Sequence, residues 1–170
     1  MKNLESLINT YYDFPQKGIA FKDIFGIIQD TEIFKELIHN MASNKVIKSS
    51  DAIISIEARG FIFGSAISLQ TSKPMLVARK PGKLPGEIIQ ESYFLEYGKS
   101  YLSIQKEAIQ KFSSYAIVDD LLATGGTIDC VAKLIKKCGK RVSGVLTVVE
   151  LSELNGRSKF QFPVESIIEI

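Results

Sequence analysis

Tryptophan is absent from this 170-residue chain, histidine occurs once, at His39, and cysteine twice, at Cys130 and Cys138. So few soft ligands exclude a Cys/His zinc site and leave little material for a histidine-dependent triad. Any chemistry must then be carried by carboxylates, basic side chains and backbone. The two cysteines fall in a segment whose apolar spacing predicts a helix, which would set their backbones about 12 Å apart and out of disulfide reach. Reduced thiols suit a cytoplasmic protein. No apolar run approaches the ~18 residues of a membrane helix, and the N-terminus lacks the apolar core of a signal peptide, so no membrane association is expected. Charge of one sign is also missing: 21 Lys plus Arg stand against 19 Asp plus Glu, a net +2. That balance offers no global attraction to nucleic acid, so a phosphate site would have to arise from local clustering.

What is present is an ordinary globular composition, 45% hydrophobic and 24% charged. At about 150 residues per domain, the length predicts a single domain over residues 1–170, burying roughly 70% of the unfolded surface. Leu4, Leu7, Ile8, Tyr11 and Tyr12 recur at helical spacing and predict a first helix. An ordered loop follows from Asp13 to Phe21, then a second helix through Ile33, Leu37, Ile38 and Met41, with Asp30 or Thr31 as its N-cap. His39 falls between the core positions of that helix and reads as a partly exposed helical residue. From Ala52 the chain alternates apolar β-type runs (AIISI, MLVAR, YAIVDD, RVSGVLTVVE) with helical stretches (RGFIFGSAISL, TIDCVAKLIKKC). Short, uniformly apolar runs suit strands covered on both faces, so the expectation is an open, mostly parallel α/β sheet flanked by helices. Between MLVAR and YAIVDD, KPGKLPGEIIQES reads as a mobile loop and SYFLEYGKSYLSIQ as a hairpin around Gly98.

The segment richest in chemistry is VDDLLATGGT, Val118–Thr127. Two adjacent carboxylates stand at the end of a buried strand, followed by a Gly/Thr loop and a helix start. In open α/β sheets, ligands bind outside the carboxyl ends of strands, and the free amides of a following helix N-terminus attract anions. Ala123, Thr124, Gly125, Gly126 and Thr127 would cradle a phosphate monoester, with Asp119 and Asp120 accepting hydrogen bonds from sugar hydroxyls. The plain alternative is a capped helix after a tight turn with two solvated acids. The segment is neither a Walker loop nor GxGxxG, which argues against a nucleoside triphosphatase.

This ten-residue string resembles the phosphoribosyl pyrophosphate (PRPP) motif of the type I phosphoribosyltransferases, and its wording resembles the adenine-specific members of that family. FPQKGIAFKDI, IEARGFIFG, ARKPGKLPGE with SYFLEYGKSYLSIQKEAI, and VVELSELNGR agree with the same family in the same order. Lys17 and Lys22 depart from its commoner wording. Ala123, where hypoxanthine-guanine members usually carry aspartate, favours adenine. The resemblance implies a type I phosphoribosyltransferase fold with a small N-terminal hood over about residues 1–30. It further implies transfer of phosphoribose from PRPP to adenine, with Mg2+ held mainly by substrate oxygens and no direct protein ligand. Arg59, Arg79 and Lys83 would bind pyrophosphate, Ala20 and Phe21 would meet adenine, and Glu96 would act as acid/base. On pattern alone Glu96 is an outward-facing acid, because Tyr93, Leu95 and Tyr97 alternate on the other face. A homodimer and a cis peptide joining Ala58 to Arg59 follow from the same resemblance. The alternatives are a purine phosphoribosyltransferase preferring guanine, hypoxanthine or xanthine, a non-enzymatic nucleotide sensor of the same fold, and a phosphoacceptor receiver domain using Asp119 and Asp120.

Overall fold

The structure, a computed structural model, describes residues 4–95 and 98–170, with the side chains of residues 94, 95, 98 and 99 left out. The chain divides into two compact units, Met1–Asn40 and Met41–Ile170.

In the first unit a single 3-10 turn, Leu4–Leu7, gives way to strand β1 (Asn9–Tyr12), which pairs antiparallel with β2 (Ala20–Asp23). The helix expected through Tyr12 therefore ends a turn after it starts. Thr10, Tyr11 and Tyr12 are good strand formers, and a partner strand beyond the loop supplies a ladder that local periodicity does not reveal. The connecting loop carries a cis Phe14–Pro15 bond and a left-handed Asp13, whose carboxylate accepts from Gly18 N–H at 2.7 Å. Helices α1 (Phe25–Gln29) and α2 (Thr31–Ser43) follow. Asp30 caps α2, its Oδ1 accepting from the Glu32 and Ile33 amides at 3.1 Å, which satisfies two donors the helix itself cannot. His39 is exposed on α2, as the spacing predicts.

The second unit runs α3 (Lys45–Lys48), β3 (Ala52–Ile56), α4 (Gly60–Thr71), β4 (Met75–Ala78), β5 (Ile88–Leu95), β6 (Gly98–Gln105), α5 (Lys106–Gln110), β7 (Ser114–Leu122), α6 (Gly126–Lys137), β8 (Arg141–Glu150) and β9 (Val164–Glu169). Five strands form one parallel sheet in the order β4-β3-β7-β8-β9, and β5 pairs antiparallel with β6 as a separate hairpin. β3 is buried along its whole length, the condition its unbroken apolar sequence anticipates. Ile54, Ile56, Ile117, Leu102, Ile104, Val131 and Ile135 meet in one core beneath α6, each such side chain contributing about 1.5–3 kcal/mol by leaving water. β9, like β1 and β2, is a strand that periodicity does not announce, since VESIIE mixes charge with apolar residues as an edge strand permits. Because all five strands run parallel, the turns after β3, β4 and β7 open on one edge of the sheet.

Candidate active site

β7 extends two residues beyond Asp120, so both carboxylates sit inside the strand rather than at its tip and are buried, at 7% and 6% exposure. The neighbouring strand explains the burial. β3 ends at Ile56 and its chain turns back over β7, so Arg59 Nη2 comes to 2.7 Å from Asp120 Oδ2. Gly60 opens α4 directly against Asp119: a Cβ there would lie 2.7 Å from Asp119 Oδ1 and 3.2 Å from Val118 O. Glycine is required by this close approach. The Asp120 amide donates to Asp119 Oδ1 at 2.9 Å. Burial, reinforced by the adjacent Asp120 charge, pushes the Asp119 carboxyl well above the ordinary range. Burial raises Asp120 as well, opposed by the Arg59 guanidinium.

The cis peptide at this turn joins Glu57 to Ala58, one bond earlier than the resemblance implies. Arg59 already has right-handed helical dihedrals as the residue capping α4, so the change of direction falls before Ala58. Glu57 itself is a participant that motif reading passes over. Its Oε1 accepts from Arg79 Nη2 and its Oε2 from the Lys80 amide, both at 2.9 Å. The guanidinium of Arg79, acting through that hydrogen bond, draws the Glu57 carboxyl below its usual range against the opposing effect of burial. Its position two residues before Arg59, at the same strand end, was the available signal.

Arg79 follows β4 and is anchored by its backbone, exchanging two hydrogen bonds with Ser103 of β6 at 2.9 and 2.7 Å. Its Nη1 donates to Lys83 O at 3.1 Å. Arg79 thus reaches both Glu57 and the loop that carries Lys83, while the Lys83 side chain is exposed. Gly82 and Gly86 in that loop have φ of 75° and 77°, a conformation that suits glycine.

After β7, the chain turns through Ala123, Thr124 and a left-handed Gly125 (φ 79°) into α6. The first helical hydrogen bond is Asp129 N to Gly125 O at 2.9 Å. The amides of Gly126, Thr127 and Ile128 precede it and emerge from the positive end of a 12-residue helix, where an anion is stabilised. Ala123 and Thr127 are half-buried beside them and Thr124 is exposed. The structure therefore brings Arg59, from the turn after β3, to Asp119 and Asp120 within β7, with the Gly/Thr loop continuing from β7. In the first unit, Phe21 stands edge-on to Phe14 at 5.2 Å, and Ala20 is exposed opposite Tyr12 in the β1–β2 register. Glu96 lies outside the described residues.

A family model described as "Phosphoribosyl transferase domain" matches residues 26–164. An adenine phosphoribosyltransferase of Prochlorococcus marinus (strain MIT 9515) is 66% identical over 97% of this chain and 96% of its own. The crystal structure of adenine phosphoribosyltransferase from Thermoanaerobacter pseudethanolicus superposes with a TM-score of 0.92 at 39% identity, covering 98% of both chains. The enzyme of Saccharomyces cerevisiae, solved in complex with adenine and an imino-altritol bisphosphate, gives a TM-score of 0.83 at 35% identity over 95% of this chain and 94% of that one. On that family match and those identities, the chain belongs to the phosphoribosyl transferase family, among its adenine phosphoribosyltransferases.

Proposed function

We propose that this protein transfers the 5-phosphoribosyl group from PRPP to adenine, giving AMP and pyrophosphate. The observation that carries the reading is the helix start at Gly126–Ile128, whose amides precede the first helical hydrogen bond, continuous with the strand that holds two buried carboxylates. A sugar monophosphate matches both parts, its phosphate at the amides and its hydroxyls at Asp119 and Asp120.

The reaction displaces pyrophosphate from an anomeric carbon through a transition state of oxocarbenium character, as in glycoside chemistry. The 5-phosphate on Ala123–Thr127 anchors one end of the sugar, and that remote binding energy orients the reacting carbon. Asp119 and Asp120 orient the ring through its hydroxyls. Arg59, Arg79 and Lys83 face the departing diphosphate with positive charge, and the 80–86 loop excludes water from the reacting carbon. Glu96 manages the proton of the attacking purine nitrogen, a role supported by its place in LEYG and by the scarcity of histidine. Ala20 and Phe21 are assigned to adenine on the wording of FPQKGIAFKDI.

Mg2+ fits these residues. Asp119 and Asp120 offer the hard oxygen atoms it prefers in its surroundings. The ion would be held by substrate oxygens and water beside the two aspartates. When bound, it neutralises diphosphate charge. The reading includes a homodimer in the cytoplasm, the latter supported by free Cys130 and Cys138. Among the described residues, no helix is long and apolar enough to cross a membrane.

Incubating the protein with PRPP, Mg2+ and each purine base in turn tests the assignment. AMP should form from adenine, with far less nucleotide from guanine, hypoxanthine or xanthine. Preferential formation of GMP, IMP or XMP, or no nucleotide from any base, would overturn it.

A further inference from the structure

The segment after β8 takes no part in the mechanism above, yet it is packed behind the phosphate loop. Leu151 N donates to Leu122 O at 2.9 Å, tying the segment to the last residue of β7. Gly156 lies so close that a Cβ there would collide with the Ala123 carbonyl. On the other side of the turn, a Cβ on Gly125 would meet the Phe160 ring at 3.0 Å and Gly156 O at 3.1 Å. The loop that sets the direction of the α6 amides thus rests on residues 156–160, a single 3-10 turn, Gly156–Lys159, followed by an extended Phe160.

A buried carboxylate holds that support. Glu150, 2% exposed at the end of β8, accepts from Arg157 Nε at 2.7 Å and from Nη2 at 2.5 Å. Nη2 also reaches Glu169 of β9 at 2.6 Å. Ser166 Oγ donates to Glu150 Oε2 at 2.9 Å, and Thr147 Oγ1 lies 2.9 Å from Ser166 Oγ. The two-pronged geometry fixes the guanidinium plane in a way a single contact cannot. Since Gly156 precedes Arg157 directly, fixing Arg157 fixes the surface on which Ala123 and Gly125 lie.

We propose that Arg157, clamped by Glu150, is a positioning residue for the 5-phosphate: it touches no substrate and sets the aim of the Ala123–Thr127 amides from behind. The proposal rests on the phosphate-cradle reading. Its consequence is selective, because the pyrophosphate-facing residues Arg59, Arg79 and Lys83 belong to other strand ends.

The test measures AMP dissociation, KM for PRPP, kcat and inhibition by inorganic pyrophosphate in Arg157→Ala and Arg157→Lys, with thermal unfolding as a check of folding. Both variants should weaken AMP and raise KM for PRPP about tenfold, as misplacement of a binding group by a fraction of an ångström would do. Saturating kcat should fall along with them, because the same phosphate contacts orient the reacting carbon, while pyrophosphate inhibition should stay within about twofold of the parent. Lysine keeps the charge without the two-pronged clamp, so Arg157→Lys carries the test should the alanine variant fail to fold. Unchanged AMP affinity in the folded variants, with affinity lost in Thr127→Ala, would overturn the positioning role alone. Equal loss of AMP and pyrophosphate binding would also overturn it, as general loosening. If Thr127→Ala leaves AMP binding intact too, the cradle reading falls and the positioning role with it.

Discussion

Arg59 and Arg79 each face a carboxylate, Asp120 and Glu57 respectively, at 2.7 and 2.9 Å. A guanidinium has five donors, so one carboxylate can fix its orientation and leave donors for phosphate oxygens. Glu150 shows the same chemistry turned to stability. The Arg157 guanidinium, through its hydrogen bonds, holds the Glu150 carboxyl below its ordinary 4.5. A carboxylate depressed in the folded state contributes stability above that value and loses it as pH falls toward the folded-state value. Melting temperature followed from about pH 6 to about pH 3 should therefore drop more steeply in the parent than in Glu150→Gln, whose neutral amide cannot titrate. Parallel curves for the two proteins would contradict this linkage. Glu96→Gln should lower turnover by roughly 10² to 10⁴-fold with little change in PRPP affinity, since shape is kept and basicity lost. Single-turnover kinetics check it, and an unaltered chemical step would return Glu96 to an outward-facing acid.

At the scale of elements, the approach of α4 to the sheet depends on residues without side chains. Gly60 meets Asp119, and a Cβ on Gly64 would collide with the Ser55 hydroxyl, itself donating to Gly60 O at 2.7 Å. Gly64→Ala should force α4 away from β3 and cost about 1–3 kcal/mol, the usual range for overpacking a core. Urea unfolding at unchanged m-value would measure it, and an unaltered midpoint would show that the helix shifts freely. The helix was legible from the apolar run RGFIFGSAISL, but its two critical glycines were not, because nothing local marks which neighbour comes close. In the same way Leu4–Tyr12 carries helical spacing and folds as a turn and a strand, since β2 offers the ladder.

At the scale of the molecule, β7 is the middle strand of the five and is paired on both sides, to β3 and β8. Its residues Tyr115, Ala116, Ile117 and Val118 are wholly buried. Amides of β7 should consequently exchange only on global unfolding, while those of the edge strands β4 and β9 open at lower free energy. Hydrogen exchange read by mass spectrometry tests this, and protection in β9 equal to that in β7 would refute the expected ranking. The strand expected to exchange slowest is also the one bearing Asp119 and Asp120, so the carboxylates proposed to meet the sugar would stand on the most rigid part of the fold.

Runs such as AIISI and YAIVDD by themselves determined that the sheet would be parallel and buried, because only strands covered on both faces can be apolar throughout. VDDLLATGGT likewise marked where a phosphate site is expected, because a helix start leaves its first amides without partners inside the helix. Both are properties of a few consecutive residues. Tertiary structure alone decided what stands beside them: that Arg59 reaches Asp120, that Glu57 holds Arg79, that burial raises Asp119, and that Arg157 supports the Ala123–Gly125 turn through Glu150. These pairs join residues from 7 apart in the chain, as for Glu150 and Arg157, to 61 apart for Arg59 and Asp120. Their energies depend on distance and desolvation, which exist only once the strands are in register.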